Sequence, residues 1–172
     1  MLQRYVAALK SHPYTTNSAS GFVVCACGDA LTQAYEGVDD RRRTAKLAAW
    51  GAGWTGPAGV VWYGVLNSLS GGIGKKLAVN QLIFAPVNNA LFYFYNEALA
   101  PAAAEPLLDR YSRRMANEFL PTMATSVVCW VPTQAFNLSM VPLHFRPLFL
   151  NTAFIFWTAY LSFRGHRKYD ET

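Results

Sequence analysis

The sequence predicts an all-α fold, a polytopic bundle of transmembrane helices, and three observations carry that prediction. Of the 172 residues, 52% are hydrophobic and 15% aromatic, which is high for a soluble chain of one-domain size. The charged residues are also clumped: residues 11–28, 47–74, 77–96, 119–145 and 147–163 contain no Asp, Glu, Lys or Arg. A helix crossing the hydrocarbon core needs about 20 mostly apolar residues, within about 17 to 25, and these windows meet that length. A mean hydropathy of +0.12 would suit an enzyme equally well, so placement decides. Amphipathic helices of a soluble bundle would carry charges on their outer faces at helical spacing, and that pattern is missing. Finally, Arg41, Arg42, Arg43 and Lys46, then Lys75 and Lys76, then Arg110, Arg113 and Arg114, and last Arg164, Arg167 and Lys168 stand at window edges. Juxtamembrane placement explains the net charge of +5 without a nucleic-acid partner.

Taken in order, residues 1–10 put Leu2, Tyr5, Val6 and Leu9 on one helical face and stop before Pro13, predicting a short interfacial helix. No apolar run leads into a small-residue cleavage site, so no cleavable signal is expected. The first span is expected at about 17–35, with Asn17 or Ser18 as cap and Asp29 in its second half. The second, about 45–69, carries Pro57 and sets Ala48, Ala52 and Gly56 four apart, a spacing of small residues that lets helix backbones approach. Gly71, Gly72 and Gly74 lack the spacing of a phosphate loop and predict a hairpin between spans. The third span, about 77–99, holds Asn80, Gln81, Pro86, Asn88 and Asn89 before the aromatic run Phe92 to Tyr95.

Residues 100–118 mix apolar and charged side chains and predict a loop plus a surface amphipathic helix. The fourth span, about 119–141, is interrupted by Pro121 and Pro132, and the last window, 147–163, has only 17 residues. Five crossings concentrate Lys and Arg on one side, whereas four leave the sides nearly even. Cys25, Cys27 and Cys129 all lie within apolar windows and are expected as small buried thiols rather than disulfides or metal ligands.

Among polar residues inside the windows, Asp29 stands out, because an ionisable group in a span needs a polar interior or a partner. Gln33 lies one turn further on the same face. Two readings stay open: a pore-lining or proton-responsive pair, or an interhelical hydrogen bond that fixes packing, with Arg43 a candidate partner. Gln81, Asn88, Gln134 and Asn137 form a second polar set that either glues helices or lines a wet path. Pro57, Pro86 and Pro132 are expected helix kinks that free backbone carbonyls near that set. Enzyme chemistry has no support: there is no nucleophile elbow, no paired metal histidines, and His12, His144 and His166 are scattered. No cofactor is expected.

These residues fall in a familiar order. His12-Pro13-x-Thr15, Gly28-Asp29-x-x-x-Gln33, Arg43-Thr44, Gly56-Pro57 and Trp62-Tyr63 are followed by Lys76, Gln81 and Pro86. Then come Trp130-x-Pro132-x-Gln134-x-x-Asn137, Val141-Pro142, Arg146 and Trp157-x-x-Tyr160-Leu161-Ser162. The set resembles the Mpv/PMP family of small organelle membrane proteins, from about Tyr5 to Arg164. Asn80 stands where the family usually has Asp, and Leu138 where it usually has an aromatic. The resemblance implies about four spans, and the expectation is four crossings with a possible fifth. It also implies a pore for small solutes across the mitochondrial inner membrane, with the peroxisomal membrane as the alternative. The rival expectation is a non-conducting scaffold whose small-residue stripe serves as an oligomer or partner surface. The partners expected are the lipid bilayer, small solutes and further copies of the chain.

Overall fold

Pro13, Gly37 and Gly71 mark boundaries between helices. The structure, a computed structural model, describes residues 2–100, 105–142 and 146–166; His144 therefore lies outside the described residues. Among them every element is helical. Helix α1, Leu2–Ser11, ends where Pro13 takes the first position of α2, Pro13–Glu36, a place that needs no backbone N–H. Gly37 closes α2 at φ 69°, its N–H donating to the Gln33 carbonyl, a left-handed cap that glycine adopts without strain. Asp40 then opens α3, Arg41–Trp50, its carboxylate accepting from the N–H groups of Arg42 and Arg43 at 3.0 and 3.1 Å.

The chain continues through a π turn, Gly51–Thr55, into α4, Gly56–Ser68, and the pattern repeats with α5, Ile73–Val79, a π turn, Asn80–Phe84, and α6, Ala85–Ala98. Each π turn ends two residues before a proline, Pro57 or Pro86. A helical proline lacks its N–H and crowds the carbonyl four residues back, and a wider turn in front of it relieves that crowding. The expected irregularities at Pro57 and Pro86 are therefore wide turns. Between the two runs, Gly71 adopts φ 123° and Lys75 Nζ donates to the Ser70 carbonyl at 3.0 Å, forming a connection with no phosphate-loop geometry.

Helix α7, Leu107–Ser139, has 33 residues and runs through both Pro121 and Pro132. Expectation and structure differ here: the surface helix before residue 119 and the fourth span are one continuous helix of about 50 Å. Helix α8, Arg146–His166, completes the described chain. No helix among the described residues is long and apolar enough to cross a membrane. The charge-free windows are diluted within their helices by amides and hydroxyls, by charged first turns such as that of α7, and by the π turns that divide two of the runs.

The chain forms two compact units, one of residues up to Asn67 together with those from Val141 onward, the other Ser68–Met140. In the first, α2 is the central helix. A Cβ built on Gly21 would overlap the Gly51 carbonyl, and one on Gly56 would lie 2.6 Å from the Asn17 carbonyl oxygen, so α2 crosses this second helical run backbone to backbone. Ala48 is fully buried, Gly56 buried and Ala52 half-buried. Of that stripe, Gly56 lies against Asn17 and Ser18 of α2 in the same chain. Tyr5 Oη lies 2.9 Å from Ser20 Oγ and accepts from Asn151 Nδ2 at 2.9 Å, tying α1 to α2 and α8. In the second unit α6 and α7 pack antiparallel.

The buried set mixes apolar side chains such as Leu47, Phe92 and Leu161 with many polar ones, and many large apolar side chains are exposed. Asp29, Thr122 and Ser162 are 0% exposed and Glu118 1%, whereas Leu82 is 77%, Leu120 73% and Val128 71% exposed. Of the three thiols expected to be buried only Cys25 is; Cys27 is exposed because residues two apart on a helix point about 200° away from each other, and Cys129 is exposed on α7.

Candidate functional site

In the first unit, four motif residues meet around the carboxylate of a fifth, Asp29. Asp29 Oδ1 accepts from Arg43 Nε at 2.8 Å and Ser162 Oγ at 2.5 Å, and Oδ2 accepts from Gln33 Nε2 at 2.5 Å and Thr44 Oγ1 at 2.7 Å. The ion pair is almost sealed, with side-chain exposures of 7% for Arg43 and 0% for Asp29. Arg43 also pairs through Nη1 with Glu36 Oε2 at 2.5 Å and donates from Nη2 to Ser162 Oγ at 2.8 Å. Gln33 completes the connection between α2 and α3, its Nε2 donating to the Asp40 carbonyl at 3.0 Å and its Oε1 accepting from the Asp40 N–H at 2.6 Å. Gly28 supplies the close approach behind this cluster: a Cβ there would overlap the Thr158 hydroxyl of α8. Thr32 donates to the Ala159 carbonyl at 2.8 Å.

This arrangement satisfies the charge within the protein. Each oxygen of Asp29 already has two donors, and the guanidinium is shared between two carboxylates and a serine, a geometry that fixes three helices. Beside it His166 donates from Nδ1 to the Ser162 carbonyl at 2.9 Å. Burial pushes its pKa down to about 4, with Arg43 and Lys46 acting the same way and the Ser162 hydrogen bond and Asp29 opposing. The imidazole is neutral at physiological pH.

The second unit carries a different polar arrangement. On α6 and the turn before it, Gln81, Ala85, Asn89, Tyr93 and Glu97 recur every fourth residue and are all buried. On α7, Arg110, Arg114, Glu118, Thr122 and Ser126 do the same, half-buried at the arginines and buried beyond. The two rows meet: Ser126 Oγ donates to Gln81 Oε1 at 3.2 Å, Tyr93 Oη and Thr122 Oγ1 lie 2.5 Å apart, and Asn89 Nδ2 reaches Met123 Sδ at 3.5 Å. At the far end Glu97 takes Arg114 Nε at 2.9 Å and Arg110 Nε at 3.4 Å, and Arg110 also donates to the Glu97 and Glu105 carbonyls. Asn89 Oδ1, Asn96 Oδ1 and Asn137 Oδ1 are buried without a hydrogen-bond partner among the described residues.

Of the residues singled out from sequence, Asp29 and Gln33 come together, Gln81 joins the α6–α7 seam, Asn137 is buried, and Asn88 and Gln134 are half-buried. Pro132 lies within the unbroken α7. Sequence reasoning missed Asn89 as the buried member of its pair, and missed Glu118, Thr122 and Ser126 altogether. The fourfold spacing from Arg110 to Ser126 was the signal that would have found them.

A helical chain with polar networks inside and apolar side chains outside is the class these observations define. Residues 107–162 match the model of the Mpv17 / PMP22 family. Along nearly its whole length the chain is similar to curated proteins: 29% identical to Protein sym1 of Aspergillus oryzae, over 94% of this chain and 96% of that one. It is 28% identical to the mitochondrial inner membrane protein Mpv17 of Caenorhabditis elegans, over 94% and 91%, and 27% identical to peroxisomal membrane protein 2 of Bos taurus, over 95% and 89%. The chain is thus similar to Mpv17 / PMP22 family proteins, in line with the resemblance read from its motifs. These names place the last two relatives in the two organelle membranes that the resemblance implied. No solved structure matches.

Proposed function

We propose that this chain is a multi-pass protein of the mitochondrial inner membrane, with the peroxisomal membrane as the alternative, and that it provides a passage for small solutes. The observation that carries this reading is a buried set rich in carboxylates, amides and hydroxyls beneath many exposed leucine, valine and phenylalanine side chains. In hydrocarbon the apolar exterior costs nothing, and the backbone and polar side chains must be satisfied internally or by water. The locations follow from what the two relatives are named. Gln81 and Asn137 belong to the polar interior we assign to the path, with Asn88 and Gln134 at its half-buried margin. The fourfold satisfaction of Asp29 favours a packing role for Asp29 and Gln33.

Purified protein in planar bilayers tests the reading. Discrete conductance, or solute release from loaded vesicles, is the expected result. Correctly folded protein that leaves the bilayer silent and releases nothing would move the assignment to a non-conducting scaffold.

A further inference from the structure

The α6–α7 seam of the second unit has two features that packing alone does not need. Asn89 is 2% and Asn96 4% exposed, yet the carbonyl oxygen of each amide has no hydrogen-bond partner. Asn89 Nδ2 meets only a thioether at 3.5 Å, and Asn96 Nδ2 folds back on the Phe92 carbonyl at 2.9 Å. A buried acceptor left empty costs free energy, so amides kept only as glue would be expected to bond across the interface. Seven residues apart on one helix, the two oxygens are about 10 Å apart along the axis. Between them sit Tyr93 and Thr122, both 0% exposed, with their hydroxyls 2.5 Å apart.

The charge of the seam limits what it could accept. Glu97 and Glu118 stand with Arg110 and Arg114, two carboxylates against two guanidiniums, and Glu97 bonds both arginines. The formal charges of these four residues sum to zero. What remains unmatched is acceptor oxygen, and acceptor oxygen recognises a donor hydroxyl.

We infer that the α6–α7 seam binds and passes uncharged hydroxyl donors, water and small polyols, with the amide oxygens of Asn89 and Asn96 as acceptor stations and the Tyr93–Thr122 hydrogen bond as the constriction between them. This rests on the passage reading above and assigns its path and solute class. Replacing Tyr93 by Phe removes the hydroxyl that closes the constriction while keeping the ring that packs beside it. Replacing Asn89 or Asn96 by Leu removes a station and keeps the volume.

Stopped-flow swelling of proteoliposomes, with glycerol and potassium chloride run as separate gradients and an osmotic step for water, tests the inference. Native protein is expected to pass glycerol at least about tenfold faster than potassium chloride. Asn89→Leu and Asn96→Leu should each cut glycerol entry about tenfold, and Tyr93→Phe should raise it several-fold. Water flow that falls in the Leu variants without any native glycerol entry would restrict the path to water and still support the stations. Because a Leu variant could fail to fold, Asn89→Cys and Asn96→Cys in a chain lacking Cys25, Cys27 and Cys129 provide a second measurement. A membrane-impermeant thiol reagent should label both, and should leave Val87→Cys, on the exposed apolar face, unlabelled. Native vesicles that pass nothing, with residues 89 and 96 still labelled, would overturn the passage and leave the stations standing. Native flux that the variants do not alter, with residues 89 and 96 unlabelled, would overturn this inference alone.

Discussion

Asp29→Asn keeps the shape of a side chain at the centre of the first unit while removing its charge and turning one acceptor into a donor. On the native carboxylate four donors converge within 2.8 Å: Arg43 Nε, Ser162 Oγ, Gln33 Nε2 and Thr44 Oγ1. The new amide nitrogen must face either the Arg43 and Ser162 side or the Gln33 and Thr44 side. On the second, the Thr44 hydroxyl can turn to accept, but Gln33 Nε2 cannot, since Gln33 Oε1 is held by the Asp40 N–H at 2.6 Å. At least one donor is lost, and the buried guanidinium loses a counter-charge. Breaking a buried ion pair costs about 3–5 kcal/mol. Glu36 remains on Arg43 at 2.5 Å, so the lower end applies, about 3 kcal/mol. Unfolding in detergent micelles, followed by the fluorescence of the five tryptophans, measures it. Arg43→Gln and the double variant complete a cycle in which the two losses should fall short of additive by at least about 1 kcal/mol. A variant within about 0.5 kcal/mol of native whose conductance changes ion selectivity would refute the packing role and place Asp29 on the path.

Gly21→Ala should destabilise the first unit by about 1–3 kcal/mol, because its methyl has only the Gly51 carbonyl to meet, whereas Gly53→Ala, with open space around it, should stay within about 0.5 kcal/mol; paired melts in one detergent check both. Glu97→Gln leaves Arg110 and Arg114 without their shared carboxylate and should cost about 2–4 kcal/mol in the same assay, with Glu97→Asp recovering part. His166 titrates near 4 in the fold against an ordinary 6.5, so between those values the unfolded chain takes up a proton that the folded chain refuses. Its contribution is present above pH 6.5 and is lost as pH falls towards 4, by as much as about 3 kcal/mol; His166→Gln should flatten stability across that window.

The fold was legible where the physics is local. Pro13 bounds α1 as expected, but the cap expected at Asn17 or Ser18 falls inside α2, which starts at Pro13 because proline suits a first helical position; the caps at Gly37 and Asp40 were equally local signals that went unread. The surface helix before residue 119 was misplaced because Arg110 and Arg114 look like a water-facing edge until α6 supplies Glu97 as their partner. Asn88 and Asn89 were indistinguishable as neighbours in sequence; their 100° separation on a helix sends one to the margin and the other into the seam.

By itself, the sequence determined helix content, the approximate ends of most helices, the order of motifs that marks the family, and the fact that Asp29 would need a partner. Those are properties of spacing, composition and single-residue conformational preference. Only the tertiary structure decided that the partners are Arg43 and Ser162, the latter 133 residues away, that Gly21 and Gly51 touch, and that two rows of fourfold-spaced polar residues face each other. Hydrogen-bond satisfaction depends on distances between helices, and no residue carries those distances in its own identity.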